Sequence, residues 1–248
     1  MRRKKVTFMT AILTSSPFVC NAPRAILNPE NGLLDHLYRL LPDHPRCLFI
    51  CSDPDAPDMT DSFARDVAEA FAEADLEFAD LWVLDRRNQE DAQLLIWESD
   101  IIVMAGGHVP TQNRFFQEIN LRELIRNYQG LVFGISAGTM NCAGRVYSQP
   151  EEPGESAPEF ERFLPGLGLT NINVLPHYQQ VKDNMLDGMR LFEDVTYADS
   201  WGECFFSFVD GTYILIEDGV QMIFGQCCLI KDGKKEEISK LNEIVIVE

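Results

Sequence analysis

Five apolar segments alternate with amphipathic segments through the first half of the chain, and no other feature constrains the fold as strongly. Segments that are apolar on both faces and separated by helical patterns are typical of a parallel sheet covered by helices on both sides. We therefore predict strands at residues 6–13, 46–52, within 77–85, 100–105 and 130–135.

The segments between these strands repeat their apolar residues at helical spacing. We expect helices at residues 32–41, 59–74, 90–98 and 112–128. No linker, internal repeat or low-complexity tract interrupts the pattern. The prediction is a single α/β domain over residues 1–248, a three-layer α/β/α sandwich around a mostly parallel sheet.

The second half of the chain follows a different pattern. Residues 146–158 are rich in Pro, Glu and Ser, which predicts a loop, and a strand and a helix are expected at 170–175 and 182–195. Beyond residue 204, short apolar segments are joined by Asp-Gly pairs at 210–211, 218–219 and 232–233. Such pairs favour tight hairpins, so we expect an antiparallel extension that closes the sheet.

Acidic residues outnumber basic residues, 39 against 21, which gives a formal charge of −18. A surface of this sign repels phosphate backbones and anionic lipid, and this argues against nucleic-acid and membrane-surface partners. A small substrate stays compatible with it, because a local basic pocket can persist in an acidic protein. No segment approaches the roughly 20 apolar residues of a membrane span.

The seven cysteines are scattered without metal-ligand spacing, apart from the adjacent pair Cys227 and Cys228. We interpret them as reduced core residues of a cytoplasmic protein, and we expect no metal and no organic cofactor.

The basic start at residues 1–5 leads into a short apolar run without a clear cleavage site. This favours a lead-in to the first strand over a signal peptide.

The motif Gly-Ile-Ser-Ala-Gly at residues 134–138 directly follows the fifth predicted strand. In a nucleophile elbow the serine occupies a strained turn between a strand and a helix, where glycine neighbours avoid a clash. The amide N–H groups at the start of the helix favour a developing oxyanion. A serine that merely caps this helix is the alternative. The position after a parallel strand favours Ser136 as a nucleophile.

A nucleophilic serine needs a base, and the chain has four histidines. His36 lies in an amphipathic helix and His44 in a Pro-flanked turn, so we expect both at the surface. His177 ends a predicted strand, where α/β sheets place their ligands, and it is our candidate base. His108 follows the glycines 106–107, and we expect it beside the oxyanion hole, because that backbone can approach a carbonyl closely.

The acid that orients the base is the least constrained member of the group. Asp210 is our candidate, although an Asp-Gly pair between two strands is also good turn chemistry. Glu151, Asp183 and Glu203 are the alternatives, and the residues alone leave the choice open.

Together these pieces resemble the serine peptidases that include dipeptidase E (α-aspartyl dipeptidase) and cyanophycinase. The similarity rests on Ala-Gly-Gly at 105–107, the elbow at 134–138, Pro-His at 176–177 and Val-Asp-Gly-Thr at 209–212, and it extends over roughly residues 5–225. It implies a class I glutamine amidotransferase-like, flavodoxin-like fold.

The resemblance also implies roles for single residues. Ser136 matches the nucleophile, His177 the base and Asp210 the acidic position of the late turn. The N–H groups of Gly107 and Ala137 match the oxyanion hole. Glu151 falls where dipeptidase E has an acidic residue close to the site.

Three positions depart from the family pattern. His108 replaces the Asn or Asp that usually follows the glycines, and Asp210 is one methylene shorter than the glutamate of the relatives. Dipeptidase E grips an aspartyl side chain with a basic residue after the histidine, but Lys182 and Arg190 do not align with it. His108, Glu151 and Lys182 are our candidate substrate contacts, and aspartyl specificity does not carry over.

The resulting hypothesis is a cytoplasmic serine peptidase that cleaves dipeptides or other small amides, with a homodimer left open. An esterase is disfavoured, because α/β-hydrolases place the acid before the histidine and no histidine follows residue 177. A degenerate member that only binds a small peptide or metabolite is the non-enzymatic alternative. A cysteine amidotransferase is excluded, because the elbow carries serine in place of cysteine. Cys142 lies too far along the following helix to be the nucleophile.

Overall fold

Parallel strands form the centre of the computed structural model, which describes residues 9–247. They are β1 (Thr10–Thr14), β2 (Arg46–Ile50), β3 (Asp80–Leu84), β4 (Ile101–Met104) and β5 (Leu131–Ile135). They pair in parallel in the order β1-β5-β4-β2-β3. The five predicted strands are thus confirmed, while residues 6–8 of the first lie outside the described part.

Eleven further strands follow in chain order. They are β6 (Arg145–Tyr147), β7 (Phe163–Pro165), β8 (Asn173–Leu175), β9 (Met185–Leu186), β10 (Met189–Arg190), β11 (Cys204–Phe208), β12 (Tyr213–Glu217), β13 (Val220–Phe224), β14 (Cys227–Lys231), β15 (Lys234–Ser239) and β16 (Ile244–Val247). Strands β12, β13 and β16 extend the parallel strands into an eight-stranded sheet, which we call the main sheet. Strands β15, β14, β11 and β8 form a second sheet of four strands.

Helices cover both faces of the main sheet. In chain order, the α-helices of residues 9–247 are α1 (Leu33–Leu40), α2 (Pro57–Glu73), α3 (Ala92–Glu98), α4 (Val109–Glu118), α5 (Leu121–Leu124), α6 (Ala137–Met140), α7 (Tyr178–Val181) and α8 (Tyr197–Asp199). Apolar residues of α1 and α2 pack in one buried cluster, and those of α3, α4 and α5 pack in another. This arrangement confirms the predicted α/β/α layers.

Alternation along strand β2 shows how the sequence produces these layers. Leu48 and Ile50 point into the cluster beneath α3 to α5, whereas Cys47 and Phe49 point into the cluster beneath α1 and α2. All four residues are fully buried. Burying one such side chain stabilises the fold by about 1.5–3 kcal/mol, so a strand that is apolar on both faces belongs at the centre of the sandwich.

The three Asp-Gly pairs have different outcomes. The pairs at 218–219 and 232–233 join β12 to β13 and β14 to β15 as the predicted hairpins, with both residues at positive φ. The pair at 210–211 links β11 of the second sheet to β12 of the main sheet, so the predicted hairpin is wrong. Only Gly211 has a positive φ there, at 87°. The predicted extension therefore closes the main sheet in part and builds the second sheet with the rest.

Two predicted helices differ from the structure. The helix at 112–128 is interrupted at Asn120, whose φ of 53° ends α4 and starts α5. The helix at 182–195 is wrong, because β9 and β10 form a hairpin there and a π-helical segment, Leu191–Thr196, follows. The hairpin turns at Asp187 and Gly188, both at positive φ. The predicted helix at 182–195 thus contains a fourth Asp-Gly pair, and this pair forms the hairpin turn.

Smaller predictions in the second half need adjustment. The strand expected at 170–175 is confined to β8, and the loop expected at 146–158 begins only after β6.

All seven cysteines are free, and Cys20 is exposed, although we expected it in the core. Across residues 9–247, no helix combines the length and apolar character needed to cross a membrane.

Candidate active site

Ser136 occupies a strained turn between β5 and α6. Its φ of 50° and ψ of −110° lie in a region that residues with a side chain rarely adopt. A Cβ atom on Gly134 would lie 2.8 Å from Thr139 Oγ1, and one on Gly138 would lie 2.3 Å from the carbonyl oxygen of Met104. The glycines of the motif are therefore required by close backbone approaches, as expected for a nucleophile elbow.

His177 lies beside this serine at the end of β8. Its Nε2 atom is 2.9 Å from Ser136 Oγ, and its Nδ1 atom is 2.7 Å from Asp210 Oδ1. Asp210 comes from the link between β11 and β12, and its side chain is only 4% exposed. The structure thus brings the three predicted residues into one hydrogen-bonded chain, and aspartate reaches the histidine despite being shorter than glutamate.

The carboxylate of Asp210 is surrounded by donors. Ser15 Oγ donates to Oδ1 over 2.9 Å, and the side-chain amides of Gln179 and Gln180 donate to Oδ2 over 2.6 and 2.7 Å. Burial alone would raise the pKa of Asp210, but the hydrogen bonds and charge of His177, with the bond from Ser15, lower it below its ordinary value. The carboxylate is therefore held in its ionised form beside the imidazole.

The three alternative acids do not contact His177. Glu203 pairs with Arg145, and the side chain of Asp183 is 89% exposed with Lys182 as its neighbour. Glu151 lies in the cavity described below and, within residues 9–247, its carboxylate accepts no hydrogen bond from His177. Asp210 is thus the acid that the geometry selects.

Ser15 contacts Ser136, His177 and Asp210, although no motif of the sequence predicts a role for it. Its Oγ donates to Asp210 and accepts the backbone N–H of His177 over 2.8 Å. Its carbonyl oxygen accepts the N–H of Ser136 over 3.0 Å. The side chain is fully buried. Its position directly after β1, next to the strand that carries Ser136, was the available signal.

Gly107 follows β4, and Ala137 follows Ser136 after β5, the neighbouring strand in the main sheet. Gly107 has a φ of 155°, and a Cβ atom there would lie 2.5 Å from Ser52 Oγ. In the described part of the chain, neither the N–H of Gly107 nor that of Ala137 has a hydrogen-bond acceptor. Two free donors beside a serine hydroxyl can stabilise a negatively charged oxygen.

A cavity of about 390 Å³ opens in front of Ser136 and His177. Most of its side chains are apolar: Met140, Pro150, Pro176, Val181, Met185, Leu186 and Leu191. Among the described residues of the lining, Glu151 is the one carboxylate, and no Lys or Arg is present.

Glu151 is exposed to the open side of this cavity. Crowding by protein atoms on its other sides removes water and raises the pKa of its carboxyl to about 7. The charge of His108 opposes this shift, and the nearby carboxylate of Glu155 adds to it. The group can therefore change its charge near neutral pH.

The two other predicted substrate contacts lie elsewhere. The ring of His108 joins Thr111 Oγ1 through Nδ1 and Glu155 Oε1 through Nε2, each over 2.8 Å, and it does not line the cavity. Glu155 in turn accepts the N–H groups of Glu151 and Glu152, so His108 holds the loop that carries Glu151. Lys182 is also outside the lining and lies 4.0 Å from Asp183.

The remaining histidines are far from this chemistry in the fold. His44 is exposed as expected. His36 is half-buried, because its Nδ1 atom lies 2.8 Å from the hydroxyl of Tyr213, and burial lowers the pKa of its imidazole. His36 therefore lies only partly at the surface, less exposed than predicted.

One group of side chains has the spacing of metal ligands. Atoms of His108, Glu152 and Glu155 lie within 4.8 Å of one another. His108 and Glu155 already bond each other, and Glu155 also accepts two backbone N–H groups. Hydrogen bonding within the loop accounts for this arrangement.

Comparisons with known proteins extend these observations. The model of peptidase family S51 matches residues 27–222. The chain is also similar to a protein from Listeria monocytogenes EGD-e with the provisional name peptidase E, known from a crystal structure at 1.5 Å. The two share 14% sequence identity with a TM-score of 0.60, over 94% of this chain and 100% of the other. This likeness confirms the predicted fold. No curated protein matches the sequence.

Proposed function

This chain belongs to peptidase family S51, and from that premise we propose that it is a serine peptidase that hydrolyses dipeptides or other small amides. The observation that carries the proposal is the continuous hydrogen-bonded chain from Asp210 through His177 to Ser136 at the mouth of a cavity. A serine, a base in contact with it and an acid in contact with the base are the parts that nucleophilic acyl transfer requires.

In the proposed mechanism each group has its own step. With its Nδ1 proton donated to Asp210, His177 has an unprotonated Nε2 that accepts the hydroxyl proton as Ser136 Oγ attacks the substrate carbonyl carbon. When the tetrahedral intermediate collapses, the C–N bond breaks and the same proton moves from Nε2 to the leaving amine. Water then attacks the acyl-enzyme with the help of His177, and the acid product and free Ser136 are released.

The free N–H groups of Gly107 and Ala137 supply the oxyanion hole in this mechanism. Both N–H groups belong to the backbone after the adjacent strands β4 and β5, which supports a role that needs no rearrangement as charge develops on the carbonyl oxygen. One such donor typically contributes about 10²–10³ in rate.

The size of the cavity favours a small substrate. Pockets for small molecules have volumes of roughly 300–1,000 Å³, and the cavity here, about 390 Å³, lies near the lower end of that range. The order Ser136, His177, Asp210 along the chain separates the site from the esterases of the α/β-hydrolase type, in which the acid precedes the histidine.

Hydrolysis of a dipeptide panel tests this proposal. We expect the wild-type protein to release amino acids from several dipeptides, and the variants Ser136→Ala and His177→Ala to lose at least about 10³ of that activity. Ser62→Ala is the matched control, because this exposed serine lies on α2, outside the cavity lining. Hydrolysis that survives in Ser136→Ala would contradict the assigned nucleophile.

A further inference from the structure

The cavity beside Ser136 combines an apolar wall with one carboxylate and no positive side chain in the described lining. We infer that the preferred substrates are short peptides or amino-acid amides with a free α-amino group and an apolar side chain on the residue that acylates Ser136. This inference rests on the proposed function and names its substrate class.

The apolar residues of the cavity support the preference for an apolar side chain. Met140 and Leu191 are 3% and 5% exposed and form a fixed surface, whereas Met185 and Leu186 approach from the β9–β10 hairpin. A side chain that enters this space meets mostly carbon and sulfur atoms, while Gln149 and Asn184 add two amide groups to the lining. Apolar side chains are transferred from water into such surroundings at a gain, and charged ones at a cost.

Glu151 supports the preference for a free α-amino group. Within the described part of the chain, its carboxylate takes part in no ion pair, and it lines the same cavity as Ser136. In a peptide with a free amino terminus, the amine is separated from the scissile carbonyl carbon by a single carbon atom. A carboxylate next to the nucleophile is therefore placed to accept hydrogen bonds from this ammonium group.

The placement of basic side chains argues against acidic substrates. Lys182 lies 4.0 Å from Asp183, and Arg190 forms a two-pronged pair with Asp194 over 2.6 and 3.0 Å. Neither residue lines the cavity. An aspartyl or glutamyl side chain would meet no positive partner there and would be repelled by Glu151.

The hairpin and the loop that form this cavity are fastened to each other. Asp187 at the tip of the hairpin accepts hydrogen bonds from the N–H of Gly154 and from the N–H and hydroxyl of Ser156. The loop that carries Glu151 and the hairpin that carries Met185 are thus held together. The carboxylate and the apolar wall therefore face the same small volume.

A panel of p-nitroanilides tests the inference on the full chain. We compare the free-amine Leu, Met and Asp compounds with N-acetyl-Leu and Nα-acetyl-Lys p-nitroanilide. The last compound separates recognition of the amino terminus from recognition of a cationic side chain. We expect kcat/KM for the free-amine Leu and Met compounds to exceed that for the other three by about tenfold or more.

Paired variants isolate the two parts of the cavity. Glu151→Gln should raise KM for the free-amine Leu compound about tenfold and leave the acetylated compound unchanged. Glu159→Gln, at an exposed position outside the lining, should change neither. Met185→Arg adds a cation to the cavity wall and should improve the Asp compound relative to Leu. Met59→Arg, at a similarly exposed methionine on α2, should not.

The outcomes separate two failures. If the Asp or acetylated compounds are cleaved as fast as free-amine Leu, or if Glu151→Gln acts equally on all compounds, the inferred substrate class is overturned and the serine peptidase stands. If the wild-type protein cleaves no compound faster than Ser136→Ala does, the proposed function is overturned, and the substrate class with it.

Discussion

The main sheet positions Ser136 through local backbone geometry, whereas the second sheet positions His177 and Asp210 through contacts made across the fold. At the elbow, two glycines of the same motif allow the turn, and the strand before it is buried on both faces. His177 and Asp210 lie 33 residues apart and meet because β8 and β11 pair side by side, and His177 then contacts Ser136 from the other sheet. A site of this kind combines a nucleophile encoded locally with a base and an acid encoded by tertiary structure.

The largest expected effect comes from changing Asp210, which is positioned by tertiary contacts. Asp210→Asn should lower kcat about 10⁴-fold, because an amide can hold the wrong imidazole tautomer. Since the folded pKa of Asp210 lies below its ordinary value, the wild-type carboxylate stays ionised throughout pH 5–9, and the deficit should persist over that range. Steady-state kinetics across these pH values measures it.

Asp183→Asn is the control for this change, because its side chain is 89% exposed. We expect its activity to match the wild type. If Asp210→Asn retained more than a tenth of the activity, the acid would have to be assigned elsewhere.

The next largest effect comes from changing a glycine of the elbow, which is encoded locally. Gly138→Ala places a Cβ atom 2.3 Å from a buried carbonyl oxygen, so the backbone of the elbow must shift. We expect a loss of about 1–3 kcal/mol in the free energy of unfolding, measured by urea titration, together with a loss of activity. Gly144→Ala is the matched control, since its nearest contact would be an ordinary 3.7 Å. Equal stability of the two variants would show that the elbow tolerates a side chain.

Ser15 links the two regions, and its removal should have an intermediate effect. Ser15→Ala leaves the N–H of His177 without its acceptor and removes one of the two hydrogen bonds that Asp210 Oδ1 accepts. We expect kcat to fall about tenfold to a hundredfold while KM changes little, because small displacements of catalytic groups cost about that much. The control is Ser16→Ala, whose hydroxyl accepts the N–H of Phe18 and, within residues 9–247, contacts neither His177 nor Asp210 through a hydrogen bond. A change confined to thermal stability or to KM would argue against a positioning role.

The smallest effect is a pH dependence of substrate binding. The carboxyl of Glu151, with a pKa of about 7, carries its charge above that pH and loses it below. KM for a free-amine substrate should therefore rise as the pH falls through 7, and KM for an acetylated substrate should not. His108, Glu155, His177 and Glu152 also face this group, so Glu151→Gln is needed to isolate its contribution. A pH dependence that survives in this variant would assign the effect to another group.

The same division explains what the sequence could predict. The five parallel strands and the elbow follow from buried periodicity and glycine spacing, which are local properties. The hairpin at Asp187 and Gly188 was mistaken for a helix, because its flanking residues also suit helical spacing. Ser15 was missed, since its role depends on partners 162 and 195 residues away. His108 adjoins Gly107 in sequence, yet its ring bonds Glu155 outside the cavity.

Labelling with a fluorophosphonate probe, followed by mass spectrometric mapping of the modified residue, tests the central claim most directly. If His177 and Asp210 activate Ser136, the probe should modify Ser136 in the wild-type protein, and labelling should be lost in His177→Ala and strongly reduced in Asp210→Asn. Labelling at another side chain, or equal labelling of the wild type and His177→Ala, would contradict the account.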